Sequence, residues 1–353
     1  MKDTAQTIRE GEGLDEGALY DCLMSSIPGL SGPMTLTQFP SGFSNLTYLV
    51  RVGEKEMVLR RPPFGARIKS AHDMGREYRI LSALRPHYPY CPEPLYFTED
   101  PEVMGCPFYV MERMEGIILR KELPEDLSYT PAQAKTLCET LLDVQVALHS
   151  IDVEKAGLGF LGKPEGYVKR QVEGWSKRYR NARTEDAPDF EAVMGWLVEK
   201  MPVDTARPTL VHNDYKFDNI VLAEANPMEI IGVLDWEMAT YGDPLMDLGN
   251  SLAYWVEKGD PEEMQMMRLM PTDMEGALTR AELVARYGRL TGLDVSGFDY
   301  YLCFGLFRLA VIAQQIYQRY HQGLTQDKRF AMLIFGVQIL ERAALSVIES
   351  SHL

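Results

Sequence analysis

The sequence predicts an α+β protein with a small lobe of antiparallel strands and one helix, followed by a larger, mainly helical lobe. Residues 35–111 contain short runs rich in Val, Leu, Thr and Tyr, separated by turn residues, a pattern typical of strands. After Gly116 the apolar residues recur at helical spacing over most of the remaining chain. We therefore divide the chain into lobes at residues 1–113 and 114–353.

The small lobe begins with a leader that holds one short helix, which ends at the Ile-Pro-Gly of 27–29. Gly53-Glu54 is expected to form the hairpin turn between the second and third strands. Apolar residues at helical spacing, closed by Pro86, predict a helix over 70–85. The strands are expected at 35–39, 47–52, 56–60 and 108–111.

The large lobe opens with Thr130-Pro131, a capping residue followed by a proline at the first helical position. A strand-like interruption at 210–236 lies in the middle of the lobe. The segment from Tyr300, although strongly apolar, contains Arg308 and two glutamines, which indicates a buried helix and not a membrane span. Further helices are expected at 166–181, 188–200, 244–258, 275–291 and 299–349.

Composition argues against several classes of protein. A net charge of −15 argues against a protein that binds nucleic acid through its phosphates, because such binding needs a basic surface. The N-terminal stretch is polar and acidic, unlike a signal peptide. The five cysteines are scattered without a CxxC pair, which predicts reduced thiols rather than disulfides or a zinc ribbon. We expect a cytoplasmic monomer or homodimer with no membrane partner.

Polar residues flank two short apolar strands at 220–222 and 230–234. If these strands pair as a hairpin around the turn at Asn226-Pro227, Asn219 before the first and Asp235 after the second lie side by side. Magnesium prefers such oxygen ligands, few from the protein and the rest from phosphates and water. The pattern therefore predicts a magnesium site at Asn219 and Asp235.

Asp214 lies five residues before Asn219 on the same loop, where its carboxylate can face an incoming hydroxyl group. Lys216 follows two residues later and can meet a phosphate group during its transfer. In phosphoryl transfer the protein contributes mainly by positioning the reactants and neutralising charge, and little by covalent chemistry. Asp214 and Lys216 are therefore the candidate catalytic residues. Taken alone, Asp214 and Asn219 could also belong to an ordinary Asx turn, and Lys216 could be a solvated loop lysine.

Several motifs resemble those of the aminoglycoside phosphotransferase and choline kinase-like family, which has a protein-kinase-like two-lobe fold. HNDYKFDN at 212–219 resembles the H-x-D-x-x-x-x-N catalytic loop. DWE at 235–237 stands where the family keeps its metal-binding Asp, and GDPLMDL at 242–248 resembles the segment that follows it. GYVKRQVEGW at 166–175 and the segment 308–320 resemble the branch related to the kinase-like domain of some acyl-CoA dehydrogenase fusion proteins.

The resemblance implies an ATP site in the small lobe, beginning with a loop over the phosphates. SGFSNLT at 41–47 resembles this loop but has one glycine, so that Ser44 and backbone amides would do more of the phosphate binding. The nucleotide-binding residues implied here are Ser41, Gly42, Ser44 and Asn45.

The resemblance also assigns roles on two strands and the small-lobe helix. Arg60 takes the position of the phosphate-contacting lysine, and an arginine keeps the charge but not the geometry. Glu77 would be its ion-pair partner, a surface ion pair being the alternative. Glu112 to Met114 resemble the hinge whose backbone hydrogen-bonds adenine. His212, Asp243 and Asp247 are expected to be structural, Asp247 as a helix cap and a brace for the catalytic loop.

Together these expectations describe a magnesium-dependent kinase that transfers the γ-phosphate of ATP to a hydroxyl group of a small molecule. The resemblance permits aminoglycosides, choline-like amines, sugars, and homoserine-type or hydroxyacyl compounds, and its branch favours a hydroxylated acid or its thioester over an antibiotic. A protein kinase is one alternative, although no Asp-Phe-Gly or Ala-Pro-Glu follows Asp235. A non-catalytic nucleotide-binding module is the other, suggested by Arg60 and the glycine-poor loop.

Overall fold

The structure is a computed structural model that describes residues 5–40, 45–65 and 73–353. The chain forms two compact units. The first comprises the described part of Met1–Ile118 together with Ala156–Leu158 and Asn219–Glu237, and the second comprises Leu119–Lys155, Gly159–Asp218 and Met238–Leu353. The sequence prediction divides the chain once, whereas two later segments return to the first unit.

The described residues contain strands and helices in the following order. The strands are β1 (Met34–Gln38), β2 (Leu46–Val52), β3 (Lys55–Arg61), β4 (Pro94–Thr98), β5 (Phe108–Glu112), β6 (Thr209–Val211), β7 (Ile220–Leu222), β8 (Ile230–Val233) and β9 (Thr240–Gly242). The helices are α1 (Glu16–Ser26), α2 (Met74–Leu84), α3 (Pro101–Met104), α4 (Pro131–His149), α5 (Tyr167–Ala182), α6 (Glu191–Glu199), α7 (Pro244–Ala253), α8 (Glu262–Met266), α9 (Arg280–Thr291), α10 (Phe298–His321) and α11 (Leu333–Ser350). This mixture confirms the predicted α+β class.

The first unit is built on a five-stranded antiparallel sheet with the order β1-β2-β3-β5-β4. Every second residue of β2 is buried, because side chains alternate between the two faces of a strand. These β2 residues pack with Leu19 and Leu23 of α1 in one apolar cluster. A second helix of this unit, α2, packs against β4 and β5.

The predicted strands at 35–39, 47–52, 56–60 and 108–111 correspond to β1, β2, β3 and β5. The turn at Gly53 requires glycine, because its φ is 58° and a Cβ atom there would lie 2.2 Å from the carbonyl oxygen of Ser31. β4 was missed because it begins at a proline and carries only half-buried residues, as an edge strand can.

The predicted hairpin at 220–234 is present as β7 and β8 and belongs to the first unit. Ile117 and Leu222 exchange backbone hydrogen bonds of 2.9 and 2.8 Å, which attach the hairpin to the segment after β5. Gly116 allows this contact, because a Cβ atom at that position would lie 2.2 Å from the carbonyl oxygen of Leu222.

The second unit contains α4 to α11 and the antiparallel pair of β6 and β9. Helices α7 and α10 approach closely where two glycines meet. A Cβ atom on Gly249 would lie 2.3 Å from the carbonyl oxygen of Tyr301, and one on Gly305 would lie 2.3 Å from the carbonyl oxygen of Gly249. This crossing positions α7, which carries Asp247.

Three predicted helices differ from the structure. The helix expected at 244–258 ends at Ala253. The single helix expected at 299–349 is divided into α10 and α11, because the chain turns at Gly323 with a φ of 72° and then forms a short 3₁₀ turn at Lys328–Met332. The helix expected at 275–291 begins at Arg280, where Thr279 and Glu282 form a reciprocal capping box.

One helical stretch of the described residues, Lys328–Ser350, is long and apolar enough to cross a membrane by length and composition alone. Of its most apolar 18-residue window, 28% is buried. Within this stretch, α11 packs against α10. Core helices of globular proteins meet the same criteria of length and composition. These criteria therefore do not assign the stretch to a membrane.

Candidate active site

The predicted catalytic loop leaves β6 of the second unit and is held by Asp247 of α7. The backbone N–H groups of His212 and Asn213 donate to the Asp247 carboxylate over 3.1 and 2.5 Å. Asn213 has a φ of 64°, a left-handed conformation that non-glycine residues rarely adopt and that asparagine tolerates best. Asp247 thereby fixes the backbone immediately before Asp214.

Asp247 is completely buried and is surrounded by donors. His149 Nε2 lies 2.9 Å and Gln145 Nε2 3.4 Å from its Oδ2. Burial by itself would raise the pKa of Asp247, but the hydrogen bond from His149 and the neighbouring donors lower it below the ordinary value. The bracing position agrees with the prediction, whereas the predicted cap is wrong. The N-cap of α7 is Asp243, which accepts from Leu245 N at 2.8 Å.

His149, at the end of α4, links this buried carboxylate to α9. Its Nδ1 lies 2.7 Å from the hydroxyl of Tyr287, and its backbone carbonyl accepts the hydroxyl of Thr209 at 2.7 Å. With Nε2 donating to Asp247, Nδ1 is the acceptor for Tyr287. Sequence analysis did not identify His149, because its partners lie 98 and 138 residues away.

Asp214 and Lys216 form an ion pair in the same loop. Lys216 Nζ lies 2.8 and 2.9 Å from the two Asp214 oxygens and 4.6 Å from the centre of the Tyr254 ring. Burial alone would lower the pKa of Lys216, but Tyr254 and Asp214 raise it well above its usual range. Lys216 is therefore not a solvated loop lysine. His212 is structural in its geometry: it is buried, and its Nδ1 accepts the N–H of Asp214 at 3.2 Å.

In the first unit, Arg60 of β3 and Glu77 of α2 form a buried ion pair of 2.5 Å, so the surface-pair alternative is wrong. Burial raises the pKa of Glu77, and Arg60 opposes that rise. Burial would lower the pKa of Arg60, but Glu77, Asp235 and Glu237 together raise it well above its usual range. Arg60 Nη1 also lies 3.2 Å from Asp235 Oδ1, and Nη2 lies 3.3 Å from the same oxygen.

The β7–β8 hairpin places Asn219 opposite Leu234, one residue before Asp235. The N–H of Leu234 donates to the carbonyl oxygen of Asn219 at 2.8 Å, so the residues that flank the two strands are neighbours across the hairpin. Asp235 has a φ of 68°, the left-handed conformation again. Such strain is kept where surrounding contacts impose it, and it is common at functional sites.

Glu237 is a further acidic residue at this position, which sequence analysis did not assign. Its Oε2 accepts from Asn45 Nδ2 at 2.8 Å and lies 3.4 Å from Arg60 Nη2, and its backbone oxygen accepts from Arg76 at 3.0 Å. Glu237 is the third residue of the DWE motif, and its place in that motif was the signal in the sequence that could have identified it. Asn45, one of the predicted loop residues, is thus buried against Glu237, whereas Ser41, Gly42 and Ser44 lie outside the described residues.

The predicted hinge follows β5. The N–H of Glu112 donates to Glu93 O at 2.8 Å, so this donor is already engaged. Met114 lies against β8, because its Sδ atom would be 2.5 Å from a Cβ atom on Gly232.

A small, largely apolar cavity lies in the second unit, with Lys216 and Tyr215 of the catalytic loop in its lining. Most of its other lining side chains are apolar and come from α4, α7 and α9, among them Leu142 and Leu252. Gln145 and Ser251, which are hydrogen-bonded to each other at 3.1 Å, are polar exceptions.

The fold and these residues define a protein with a kinase-like architecture, and comparison with known proteins agrees. The profile of the phosphotransferase enzyme family matches residues 35–282, and the chain belongs to this family. A solved protein from Ralstonia eutropha JMP134 assigned to the aminoglycoside phosphotransferases is 28% identical, with a TM-score of 0.81 over 97% of this chain and 100% of that one. A macrolide 2′-phosphotransferase type I, 18% identical, has a TM-score of 0.62 over 94% of this chain and 98% of that one.

Within the family, the chain is similar to acyl-CoA dehydrogenase family members. It is 35% identical to family member 10 of Mus musculus, in an alignment that covers 85% of this chain and 28% of that protein. It is 31% identical to family member 11 of Rattus norvegicus, in an alignment that covers 98% of this chain and 44% of that protein. The chain therefore spans less than half the length of these curated relatives. The family and the branch named in the sequence analysis are both confirmed.

Proposed function

We propose that this protein is an ATP-dependent kinase that transfers the γ-phosphate to a hydroxyl group of a small molecule, with magnesium as its metal. The observation that carries the proposal is the Asp214–Lys216 ion pair, on a loop whose backbone the buried Asp247 holds in a left-handed turn. A fixed carboxylate beside a fixed cation is the arrangement that positioning an acceptor hydroxyl requires.

The donor atoms near the β7–β8 hairpin fit magnesium. Asn219 and Asp235 offer an amide and a carboxylate oxygen, the hard ligands that this ion takes. Among the described residues no group of three or more His, Cys, Asp or Glu could hold a metal, so the remaining ligands would come from phosphates and water. Family structures solved with GDP, ADP or AMP-PNP support nucleotide binding, which here would use Arg60, Glu77 and the hinge.

In the proposed reaction the acceptor oxygen forms a bond to the γ-phosphorus while the bond from that phosphorus to the β–γ bridging oxygen breaks, and ADP leaves. Asp214 accepts the hydroxyl proton late, so it contributes more by orienting the hydroxyl than by basicity. Lys216 holds the Asp214 carboxylate and brings positive charge to the transferred group. Bound magnesium would neutralise charge on the phosphates.

For the acceptor, a hydroxylated acid or its acyl thioester is favoured over an aminoglycoside. The curated relatives carry the acyl-CoA dehydrogenase name, which favours an acyl compound over a polycation. Because solved structures of similar fold contain kanamycin or hygromycin B, the acceptor panel below also includes aminoglycosides. We further propose that the protein is located in the cytoplasm and is a monomer or a homodimer.

The test is release of ADP from ATP, and of GDP from GTP, with a panel of aminoglycosides, choline-like amines, sugars, hydroxy acids and hydroxyacyl thioesters. Asp235→Ala should abolish nearly all turnover and the magnesium-dependent thermal stabilisation by nucleotide. Asp294→Ala, at an exposed position of the second unit, is the matched control and should behave as wild type. Wild-type turnover in Asp235→Ala would refute the metal assignment. Nucleotide binding without turnover on any acceptor would favour a non-catalytic module, and transfer to protein hydroxyls would favour a protein kinase.

A further inference from the structure

Arg60 contacts three carboxylates at once. Its Nη1 bonds to Glu77 Oε1, both terminal nitrogens lie within 3.3 Å of Asp235 Oδ1, and Nη2 lies 3.4 Å from Glu237 Oε2. The planar fork of arginine makes this possible, since its two terminal nitrogens point to different partners, whereas lysine offers a single nitrogen. Arg60 is thus the counter-ion of Asp235, the carboxylate that the proposed function assigns as a metal ligand.

One of the hydrogen-bond donors of Arg60 does not help to hold its side chain in place. The side chain is nine-tenths buried, yet its Nε has no hydrogen-bond partner among the described residues. A buried donor without a partner costs free energy, so a new acceptor, such as a nucleotide phosphate, would be favoured. Because this Nε is buried, a phosphate reaches it only after the guanidinium shifts, and that shift would exchange the Asp235 contacts of Nη1 and Nη2 for a phosphate contact while Glu77 is kept.

We propose that Arg60 and the divalent cation compete for Oδ1 of Asp235, so that Arg60 keeps metal affinity low until nucleotide phosphates draw its guanidinium away. The inference rests on the proposed function, in which Asp235 is a metal ligand. A guanidinium and a divalent cation on one oxygen repel each other, and a partly buried setting, with the Asp235 side chain 35% exposed, screens that repulsion less than open solvent does. Metal and nucleotide binding are consequently coupled through Arg60.

The test measures binding of Mn²⁺ alone, as a probe for the divalent site, by calorimetry of the full chain. Arg60→Lys keeps the charge beside Glu77 but cannot span to Asp235 and Glu237 as well, so its Mn²⁺ affinity should rise about tenfold over wild type, within the usual range of coupling between sites. When ADP is present in both proteins, the difference should close, because Arg60 has then left Asp235.

The matched control is Arg61→Lys on the same strand. Arg61 is buried, its Nε donates to Pro62 O at 3.1 Å and its guanidinium lies 3.8 Å from the Phe64 ring centre. Its Mn²⁺ affinity should equal that of wild type. If Arg60→Lys folds poorly, the double variant Arg60→Met/Glu77→Leu removes both charges of the buried pair and should also bind Mn²⁺ more tightly.

Two failures are distinguishable. Unchanged or weaker Mn²⁺ binding in Arg60→Lys and in the double variant overturns the competition and leaves the proposed function intact. Undiminished Mn²⁺ binding in Asp235→Ala would show that the metal does not use Asp235, which overturns both the competition and the metal assignment. Tighter binding in the Arg60 variants, lost again when Asp235→Ala is added, supports the proposal.

Discussion

Asp247→Asn is the sharpest test of how the catalytic loop is held. The carboxylate accepts Asn213 N on Oδ1, and His212 N with His149 Nε2 and Gln145 Nε2 on Oδ2. Asparagine has the same size but one oxygen and one NH₂ group. Whichever way the amide is turned, its NH₂ group faces at least one buried donor.

The magnitude follows from these contacts. A buried donor left without an acceptor costs about 1–3 kcal/mol, and hydrogen bonds to a charged group contribute about 1.5–3 kcal/mol each. Because such losses are not additive, we expect destabilisation of about 3–5 kcal/mol, the range found when one partner of a buried charged pair is removed. For a chain of 353 residues this should lower Tm by about 4–7 °C. Displacement of Asp214 by an ångström would lower kcat about 100-fold.

Thermal unfolding followed by circular dichroism, together with ADP release, measures both effects. The control is Asp143→Asn, because Asp143 forms a half-exposed pair with Arg286 between α4 and α9, and it should cost about 0.2–1 kcal/mol. Since the pKa of folded Asp247 lies below its unfolded value of about 3.9, its stabilisation is present above that pH and is lost as pH falls through the folded pKa. The wild-type advantage over Asp247→Asn should therefore shrink below about pH 4. A Tm within 1–2 °C of wild type, with kcat unchanged, would refute this bracing role.

Three further predictions concern the catalytic loop, the nucleotide contact and the helix crossing. Asp214→Asn should bind ATP–magnesium nearly as well as wild type by calorimetry but lose about 100-fold or more in kcat, and lost nucleotide affinity would instead make Asp214 a metal ligand. Arg60→Ala should raise the KM for ATP and lower kcat, with partial activity in Arg60→Lys, and wild-type kinetics in Arg60→Ala would exclude a phosphate contact. Gly305→Ala should destabilise the second unit by about 1–3 kcal/mol in denaturant unfolding, because its Cβ atom would meet the backbone of α7, and an unchanged midpoint would contradict that crossing.

The parts that the sequence predicted depend on neighbours along the chain. β2 and β3 are joined by a two-residue turn at Gly53, and the apolar runs at 220–222 and 230–234 are short and close enough to specify their own pairing. That local pairing brings Asn219 opposite Leu234, one residue before Asp235. The spacing of Asp214 and Lys216 likewise implied a shared loop, although their direct ion pair came from the structure.

Other parts depend on contacts between distant segments. Periodicity indicates which face of a helix is buried but not which residue of another helix it meets, so the link from Asp247 through His149 to Tyr287 was invisible in the sequence. The same holds for Glu237, whose partner Asn45 is 192 residues away. The break between α10 and α11 also escaped prediction, because apolar residues continue at helical spacing on both sides of it. The sequence by itself determined the chemistry of the loop and hairpin, since turns and short strands are local. Only the tertiary structure decided what holds them, because a buried charge such as Asp247 or Arg60 takes its partners from wherever the chain brings donors and acceptors together.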